Sequence, residues 1–351
     1  MFRPRIAVTT GDPAGIGPEI VARAASVLRD RIARGDFSLV LIGSAVTHRA
    51  VAADLGIADA ATHGGAALDE GDRVTFIDVD RDGVRVPVGC ATAAGGRVAY
   101  DAIARSVELA LEGSVHAICT GPISKEALND AGHHYSGHTE LLADLTKARD
   151  SVMLLAHGNM RVSHVTTHVA LQDVPKRVTP ERIGRVVTLT DDALKAFGLG
   201  RRKIAVAALN PHAGEGGLFG RQDIEVVAPT IERLRQEGFD VEGPVPGDTV
   251  FVKLRAGQYD AVVAMYHDQG HIPVKLLGFS VDAATGKWDA LSGVNVTLGL
   301  PIIRTSVDHG TAFDIAGKGI ASETSLIEAI ELAAALARAR RTEAAPRRDV
   351  A

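Results

Sequence analysis

Seven short runs of apolar and β-branched residues recur along the chain, separated by stretches with helical periodicity. The runs do not alternate apolar with polar residues, as a strand with one face in water would. Strands that are apolar throughout are typical of a sheet covered by helices on both faces. The pattern predicts an α/β fold on a parallel or mixed sheet. The runs are residues 6–10, 39–42, 74–77, 117–119, 162–167, 204–209 and 261–265.

Five stretches carry the helical pattern, and the first has Pro18 early in its first turn, where the fixed φ of proline is tolerated. At 351 residues the chain is long enough for two domains or for one large domain with a cleft. No Pro/Ser-rich linker marks a boundary in the sequence. The predicted helices are residues 18–29, 96–112, 179–197, 223–237 and 325–338.

Charge and cysteine content narrow the function classes. The formal net charge is -5 and no long block of like charges occurs, so nucleic acid and anionic membranes are poor candidate partners. The two cysteines, Cys90 and Cys119, lie in unrelated segments, which argues against a disulfide framework and a cysteine zinc site. With no signal-peptide pattern and no apolar run of membrane-spanning length, we expect a cytoplasmic protein.

Three of the thirteen histidines follow directly on strand-like runs: His168, His212 and His267. The carboxyl ends of strands in an open α/β sheet form the ligand crevice, so these imidazoles can converge. Three neutral imidazoles with open positions make a catalytic type of divalent metal site. A single histidine at a strand end is more often structural. His164 shares a strand face with His168, and the pattern leaves open which of them is the ligand.

Two glycine-rich turns stand out, GDPAGIGPEI at residues 11–20 and GEGGLFG at residues 214–220. Neither matches the GxGxxG dinucleotide fingerprint or the GxxxxGK[ST] phosphate loop. A standard Rossmann or P-loop site is therefore not supported. Taken alone, these turns are as consistent with simple tight turns as with cofactor contact.

Cationic and polar groups cluster late in the chain, where Lys275, Asn295 and Arg304 lie in apolar, glycine-containing segments. Such cations bind phosphate or carboxylate through charge-assisted hydrogen bonds, which indicates an anionic substrate. Asp248 and Asp268 are candidates for orienting a histidine or for proton transfer. Both fit a turn or helix-cap role at least as well.

Seven long motifs, in order over nearly the whole chain, resemble the 4-hydroxythreonine-4-phosphate dehydrogenase family of vitamin B6 biosynthesis. The resemblance implies the fold of isocitrate and isopropylmalate dehydrogenases, with two α/β domains flanking an active-site cleft and a homodimer that shares its active sites. On this basis residues 1–125 with 300–351 form the first domain, and 126–299 the second. The motifs are GDPAGIGPEI, TGPISK, SGHTELLA, HVALQDV, NPHAGEGGLFG, AMYHDQGHIPVK and GVNVTLGLPIIRTSVDHGTAFDIAGKG.

The same resemblance assigns roles to site residues. It implies a divalent metal bound by His168, His212 and His267, with zinc favoured over cobalt or magnesium by the ligand type. It implies NAD as cofactor, held by glycine-rich turns of a non-Rossmann site. The implied substrate contacts are His138, Thr139, Lys275, Asn295 and Arg304.

The implied reaction is oxidation of 4-phosphohydroxy-L-threonine at C3, followed by decarboxylation to 3-amino-2-oxopropyl phosphate. In this chain, however, the segment 278–292, which contains Trp288, is longer than in the biosynthetic members. A surface excursion between Lys275 and Asn295 could reshape the pocket, so a catabolic dehydrogenase of D-threonate or D-erythronate 4-phosphate is the alternative. A phosphate acyltransferase or a non-catalytic binder on the same fold is a third reading.

Overall fold

The computed structural model describes residues 2–59, 61–63, 73–83, 85–135, 137–281, 283 and 288–344. All seven apolar runs form strands, and all five predicted stretches are helical. The strands are β1 (Arg5–Thr9), β2 (Ser38–Gly43), β3 (Thr62–His63), β4 (Val74–Asp78), β5 (Ala117–Thr120), β6 (Val152–His157), β7 (Met160–His164), β8 (Ile204–Ala207), β9 (Val241–Val245), β10 (Ala261–Ala264), β11 (Phe279–Val281), β12 (Trp288–Leu291), β13 (Val294–Leu298) and β14 (Arg304–Val307). The helices are α1 (Gly17–Val27), α2 (Arg29–Arg34), α3 (Ala45–Asp54), α4 (Ala93–Leu111), α5 (Lys125–Asp130), α6 (His138–Thr146), α7 (Val174–Arg177), α8 (Pro180–Ala196), α9 (Ala228–Gln236), α10 (Gly247–Arg255), α11 (His267–Gly278) and α12 (Thr324–Ala344).

Hydroxyl side chains set where several helices begin. Thr92 accepts a hydrogen bond from the backbone N–H of Gly95 at the start of α4, and Thr179 accepts one from Arg182 at the start of α8. Each of these bonds satisfies one of the N–H groups that the first helical turn leaves without a partner.

No helix in the described part of the chain is long and apolar enough to cross a membrane.

The chain divides into two compact units, and the division falls later than the sequence suggested. Residues 126–151 belong to the first unit, because Leu128 and Leu142 are buried in the same hydrophobic core as Ile103 of α4. The first unit comprises Met1–Ser151, Ala290–Val294 and Leu300–Ala351. The second unit comprises Val152–Asp289 and Asn295–Gly299.

The first unit has a parallel sheet with the strand order β3-β4-β2-β1-β5-β14. Val8 of β1 pairs with Leu41 of β2 on one side and with Cys119 of β5 on the other, and all three are buried. The chain leaves β1 toward β2 and later returns to β5, so the strand order reverses between β1 and β5. Ligands of open α/β sheets bind at such a switch point, beyond the carboxyl ends of the strands.

The second unit has a mixed sheet with the strand order β13-β6-β7-β10-β8-β9. Strands β6 and β7 form an antiparallel hairpin, whereas β7, β10, β8 and β9 run parallel. Val262 of β10 pairs with Val162 of β7 and with Ala205 of β8. The carboxyl ends of these three strands therefore meet at one edge of the sheet.

Strands β11 and β12 form a separate two-stranded ribbon within the segment 278–292 that the sequence singles out as a surface excursion. Phe279 is half-buried, while Ser280 and Val281 are exposed. Residues 282 and 284–287 lie outside the described residues, and so does the side chain of Trp288. The described part of this segment is thus a ribbon that pairs with itself.

Candidate active site

The first cluster of candidate residues is a group of imidazoles at the carboxyl ends of β7 and β10. His168 follows β7 and His267 opens α11 directly after β10, and their ring centroids are 6.0 Å apart. His271, one helical turn further along α11, stacks on His267 with a centroid distance of 3.6 Å and an interplanar angle of 12°. The neighbouring positions of β7 and β10 in the sheet explain why residues far apart in sequence meet here.

Asp268 orients the His267 ring. Its Oδ1 lies 2.7 Å from Nδ1 of His267, which makes that nitrogen the N–H donor and leaves the lone pair on Nε2 for another ligand. A carboxylate on the far nitrogen of a histidine is a common partner of metal-binding imidazoles, because it fixes the tautomer and the ring orientation. The side chain of Asp268 is itself exposed, so this contact is formed at the surface of the unit.

His164 and His168 differ in burial. His164 is fully buried, its Nδ1 is 3.4 Å from the carbonyl oxygen of Met153, and burial lowers its pKa to about 3. His168 is exposed at the end of its loop. Since a ligand of a catalytic metal must be reachable from solvent, the exposed His168 suits that role better than His164.

His164 instead packs under α11. Its Nε2 has no hydrogen-bond partner among the described residues, and a Cβ atom on Gly270 would lie 2.3 Å from it. The rings of His164 and His271 are 4.7 Å apart, and burial lowers the pKa of His271 to about 4. Two neutral imidazoles therefore lie behind the His168 and His267 pair.

His212 stands on a loop of unusual backbone conformation after β8. Residues 212–216 all have left-handed φ/ψ angles, and His212 itself has φ 51° and ψ 32°. Each non-glycine residue in this region costs roughly 1–2 kcal/mol relative to a right-handed conformation. His212, Ala213 and Glu215 are the non-glycine residues concerned. Local strain of this kind persists only where surrounding contacts hold the backbone in place.

The donor chemistry of these histidines suits a divalent transition metal, although the described residues assemble no complete set of ligands. Two imidazoles on one zinc ion have ring centres roughly 5 Å apart, given Zn–N distances of about 2.0–2.1 Å and a tetrahedral angle. The observed 6.0 Å between His168 and His267 needs only a small closure of the pair. In the described part of the chain, no group of three or more His, Cys, Asp or Glu side chains is placed to hold a metal ion.

The second cluster lies in the first unit, at the switch point between β1 and β5. Gly121, just after β5, donates its backbone N–H to Thr9 of β1, at 3.1 Å to the carbonyl oxygen. Asp12 donates its N–H to the carbonyl oxygen of Pro122 at 2.9 Å. Gly11 has φ +71°, and a Cβ atom there would lie 2.2 Å from the Pro122 oxygen. The GDPAGIGPEI and TGPISK motifs are thus in direct backbone contact.

Arg304 places a buried cation beside this junction. The residue opens β14, next to β5, and is 2% exposed. Its Nη2 donates a 2.7 Å hydrogen bond to Oγ1 of Thr120. Burial lowers the pKa of the guanidinium to about 10, so the group stays charged at neutral pH. A buried guanidinium attracts carboxylate or phosphate groups through charge-assisted hydrogen bonds.

His138 supplies a neutral imidazole next to that charge. Its pKa lies well below the usual value, because the ring is buried and because Arg304 disfavours a second positive charge. The ring donates a hydrogen bond to the backbone of Gly121, while its buried Nε2 has no hydrogen-bond partner among the described residues. This arrangement leaves Nε2 able to accept a hydrogen bond from a ligand. Thr139 follows in the first turn of α6 and is partly exposed.

Lys275 and Asn295 both lie in the second unit. Lys275 is partly buried on α11, and its Nζ is 5.1 Å from the centre of the Phe279 ring. Its charge contributes to lowering the pKa of His271, which places it near the imidazole cluster. Asn295 lies on β13, and its Oδ1 is buried without a hydrogen-bond partner among the described residues. That oxygen can accept a hydrogen bond from a ligand.

Asp248 differs from the other candidates. It is an exposed residue in the first turn of α10, where a carboxylate interacts favourably with the helix dipole. Within the described residues, it has no hydrogen bond or ion pair to any other candidate. Asp248 therefore lies in the first turn of α10 without forming a side-chain cap hydrogen bond, whereas Asp268 does contact a histidine.

Two buried aspartates have roles that the sequence did not indicate. Asp12 is fully buried; its Oδ1 accepts the N–H of Ala14 at 2.9 Å, its Oδ2 has no partner among the described residues, and burial raises its pKa to about 6. Asp223 is also fully buried and accepts three hydrogen bonds from residues just before His212. The only sequence signal was their position near glycine-rich turns.

Cys119 fits the interpretation of a small buried hydrophobe. It is fully buried on β5, and burial raises the pKa of its thiol to about 12. The thiolate, which is the nucleophilic form, is therefore absent at neutral pH. Cys119 is unsuited to nucleophilic catalysis.

Comparison with known proteins gives concordant matches over nearly the whole chain. A model of the family described as pyridoxal phosphate biosynthetic protein PdxA matches residues 28–333. A Bradyrhizobium diazoefficiens protein named "Putative D-threonate 4-phosphate dehydrogenase" is 63% identical over 95% of this chain and 96% of its own length. A Geobacter metallireducens protein named 4-hydroxythreonine-4-phosphate dehydrogenase is 46% identical over 96% of each chain. The crystal structure of 4-hydroxythreonine-4-phosphate dehydrogenase from Klebsiella pneumoniae has a TM-score of 0.79 and 44% identity, over 95% of this chain and 99% of that one.

Proposed function

The chain belongs to the pyridoxal phosphate biosynthetic protein PdxA family, and from this membership we propose that it oxidises a four-carbon 3-hydroxy acid 4-phosphate with NAD. The oxidised product is a 3-keto acid, whose carboxylate then leaves as carbon dioxide. We name D-threonate 4-phosphate as the substrate, because the 63% identical relative carries that substrate in its name. 4-Phosphohydroxy-L-threonine is the second candidate, supported by the name of the 46% identical relative.

The observation that carries the proposal is the buried Arg304 guanidinium beside the partly buried His138. A guanidinium that is 2% exposed, next to an imidazole that burial keeps neutral, suits a ligand with both an anionic group and a hydroxyl group. Arg304 binds the anionic end through charge-assisted hydrogen bonds. The free Nε2 of His138 accepts a hydrogen bond from a hydroxyl, and Thr139 adds a polar contact in the same helical turn.

Lys275 and Asn295 complete the proposed set of substrate contacts. Lys275 provides a second cation, as a substrate with a carboxylate and a phosphate requires. The buried Oδ1 of Asn295 accepts a hydrogen bond equally well from an amine or from a hydroxyl group. Asn295 therefore does not discriminate between the two candidates, and the choice between them has to be measured.

We assign His168, His212 and His267 as ligands of a divalent metal, with zinc or cobalt preferred because imidazole nitrogen suits these ions better than magnesium. When bound, the ion supplies Lewis acidity toward the C3 oxygen, and NAD accepts the hydride. Asp268 holds the His267 ring through Nδ1. We propose that glycine-rich turns hold the dinucleotide, as the family resemblance implies.

Proton acceptance from the C3 hydroxyl is assigned to Asp248. Of the two aspartates proposed for proton transfer, Asp268 is engaged with His267, and Asp248 is exposed with no such contact among the described residues. Asp248→Asn should lower kcat with little change in KM if the carboxylate takes the proton. An unchanged kcat would leave Asp248 as a first-turn residue of α10 with no part in proton transfer.

We further propose a homodimer whose subunits share each active site. The support is an apolar stripe on α11, where Ile272 is 63% exposed and Leu276 is 78% exposed on either side of Lys275. Exposed apolar patches of this kind mark protein contact surfaces. Mixing inactive His212→Ala and His267→Ala proteins should restore some activity in verified heterodimers, because His267 pairs with His168 in its own chain and the described residues do not group all three histidines. Complete absence of rescue would contradict sharing between these two residues.

The free cysteines Cys90 and Cys119 are consistent with a cytoplasmic enzyme.

The test is NADH formation with three substrates, D-threonate 4-phosphate, D-erythronate 4-phosphate and 4-phosphohydroxy-L-threonine. Each is measured with zinc or cobalt and again after chelation. We expect the highest kcat/KM with D-threonate 4-phosphate, carbon dioxide released in equal amount to NADH, and loss of activity on chelation. Higher kcat/KM with 4-phosphohydroxy-L-threonine would assign the biosynthetic substrate. No NADH with any of the three from folded, metal-loaded protein would contradict the proposal and reopen the acyltransferase or binder readings.

A further inference from the structure

A buried carboxylate fixes the backbone that leads into the His212 loop. Oδ1 of Asp223 accepts the N–H of Leu209 at 2.7 Å, and Oδ2 accepts both the N–H and the side-chain Nδ2 of Asn210 at 2.9 Å. Asp223 is fully buried and lies at the start of a π-helical turn, Asp223–Val227, that continues into α9. We propose that Asp223 is a positioning residue that sets where the His212 imidazole is held.

The short connection between the anchor and the imidazole supports this role. Asn210 is fixed by Asp223, the next residue is Pro211, and His212 follows. Proline has its φ fixed by the ring, so few backbone torsions remain free between the anchored amide of Asn210 and the Cα of His212. An anchor on Asn210 therefore controls the position of His212 closely.

The side chain of His212 makes few contacts of its own. Among the described residues it forms no hydrogen bond, and its ring contact is with Phe219, at a centroid distance of 6.3 Å. His212 is exposed, in contrast to the buried Asp223. The location of the imidazole is thus determined by its backbone and only weakly by its own contacts.

The backbone at His212 also needs an external restraint. Residues 212–216 have left-handed torsion angles, which L-residues adopt reluctantly. Without a restraint, this segment would relax to other conformations and the imidazole would move with it. A charged acceptor that takes three hydrogen bonds is well suited to hold the start of such a segment, since bonds to ionised acceptors are stronger than neutral ones.

This inference rests on the proposed function, because it takes His212 to be a metal ligand. Asp223→Asn is the most direct variant. The carboxamide has one acceptor oxygen, so its NH₂ group faces at least one of the N–H donors of Leu209 and Asn210. Asp191→Asn is the matched control, because Asp191 is a partly buried aspartate of the same unit that bonds Arg202 at 2.8 Å, away from the loop.

The measurement is zinc affinity by competition with a chromogenic chelator, in the native background and in His212→Ala. We expect Asp223→Asn to weaken zinc binding by about 10- to 100-fold in the native background, as loss of a ligand-orienting contact does. We expect no further loss when the same change is made in His212→Ala, since the ligand it positions is gone. A merely structural role would give equal losses in both backgrounds. Asp191→Asn should leave zinc affinity unchanged.

Amide hydrogen exchange provides a readout that does not depend on the metal. Leu209 and Asn210 should exchange faster in Asp223→Asn than in Asp191→Asn. If Asp223→Asn does not fold, Asn210→Ala is the alternative variant, because it removes only the hydrogen bonds made by the Asn210 side chain. It should give a smaller loss of zinc affinity, and only when His212 is present.

The proposal is overturned if folded Asp223→Asn, or Asn210→Ala in its place, binds zinc as tightly as the native protein, or loses equal affinity in both backgrounds. Failure of the proposed function gives a different result. In that case His212→Ala alone would leave zinc affinity unchanged, which would remove His212 from the metal site and Asp223 from its role with it.

Discussion

The candidate residues of the two units are built in opposite ways. In the first unit, Arg304 is 2% exposed and bonded to Thr120, and His138 is partly buried and bonded to Gly121. In the second unit, His168 and His212 are exposed, and they lie on loops that follow the strands. The candidate residues of the first unit are buried or partly buried, whereas His168 and His212 of the second unit lie on its surface.

This difference separates two ways of making a functional group available. A buried cation loses its hydration on folding, and the rest of the fold has to offset that free energy. An exposed imidazole keeps its hydration but has fewer contacts to hold it in place. Substitutions in the first unit should therefore change function and stability together. Substitutions of the exposed histidines should change function with little effect on stability.

The largest expected effect is that of a histidine substitution in the second unit, which should change function with little effect on stability. His267→Ala should abolish metal binding and lower kcat/KM roughly a thousandfold or more, because a catalytic metal supplies several kcal/mol of transition-state stabilisation. The His267 side chain is 38% exposed, so the Tm should change little. Metal content by elemental analysis and Tm by calorimetry check this expectation. Full metal content in His267→Ala would exclude it as a ligand.

Arg304 tests the expectation that substitutions in the first unit change function and stability together. Arg304→Met keeps most of the side-chain volume and should weaken substrate capture by about ten- to a hundredfold, the value of a charge-assisted hydrogen bond. Its Tm should be equal or higher, because a buried charge is replaced by an apolar group. Arg304→Lys should also lose affinity, since an ammonium cannot form a bidentate contact. Steady-state kinetics and thermal unfolding measure both effects. A loss of NAD binding with unchanged substrate affinity would reassign Arg304 to the cofactor.

Asp12 extends the comparison to pH. Its pKa is about 6 in the folded chain against 3.8 for an ordinary aspartate, so the folded state holds the proton more tightly. The free energy of unfolding should therefore fall as pH rises from about 4 to about 6 and stay lower above that pH. The contribution of Asp12 to this fall is on the order of 2–3 kcal/mol. Asp12→Asn should remove this fall. Parallel plots of Tm against pH for the two proteins would contradict the assignment.

Asp268 gives the smallest expected effect. Asp268→Asn keeps a side-chain acceptor near Nδ1 of His267 but removes the charge, so zinc affinity should drop by about tenfold. Because the Asp268 side chain is 72% exposed, stability should stay within roughly 0.5 kcal/mol. Chelator competition measures the affinity. An unchanged zinc affinity would mean that the ring of His267 is oriented by its stack on His271 alone.

Much of the fold could be predicted from sequence because the strands are buried on both faces and read as apolar runs. The strand-end positions of His168, His212 and His267 followed from the same pattern. That β10 lies between β7 and β8 could not be read from the sequence, since strand order is set by packing between distant segments.

Other features of the candidate sites depend on tertiary contacts and gave no local signal. The bond from His138 to Gly121 joins segments on different elements, and Asp223 reaches back to Leu209 from the turn before α9. Residues 126–151 join the first unit because Leu128 and Leu142 pack on α4, which no linker composition announced. Asp12 reads as a turn residue in sequence, and only its burial distinguishes it.

The close contact between Gly270 and His164 has a consequence for how this sequence can diverge. A Cβ atom at position 270 would lie 2.3 Å from Nε2 of His164 and 2.9 Å from Cγ1 of Val162, so replacing the glycine requires these side chains to shift or to become smaller. Glycine inside a helix is disfavoured relative to alanine, so drift favours alanine at position 270 once a smaller residue occupies position 164. Across divergent sequences the two positions should covary.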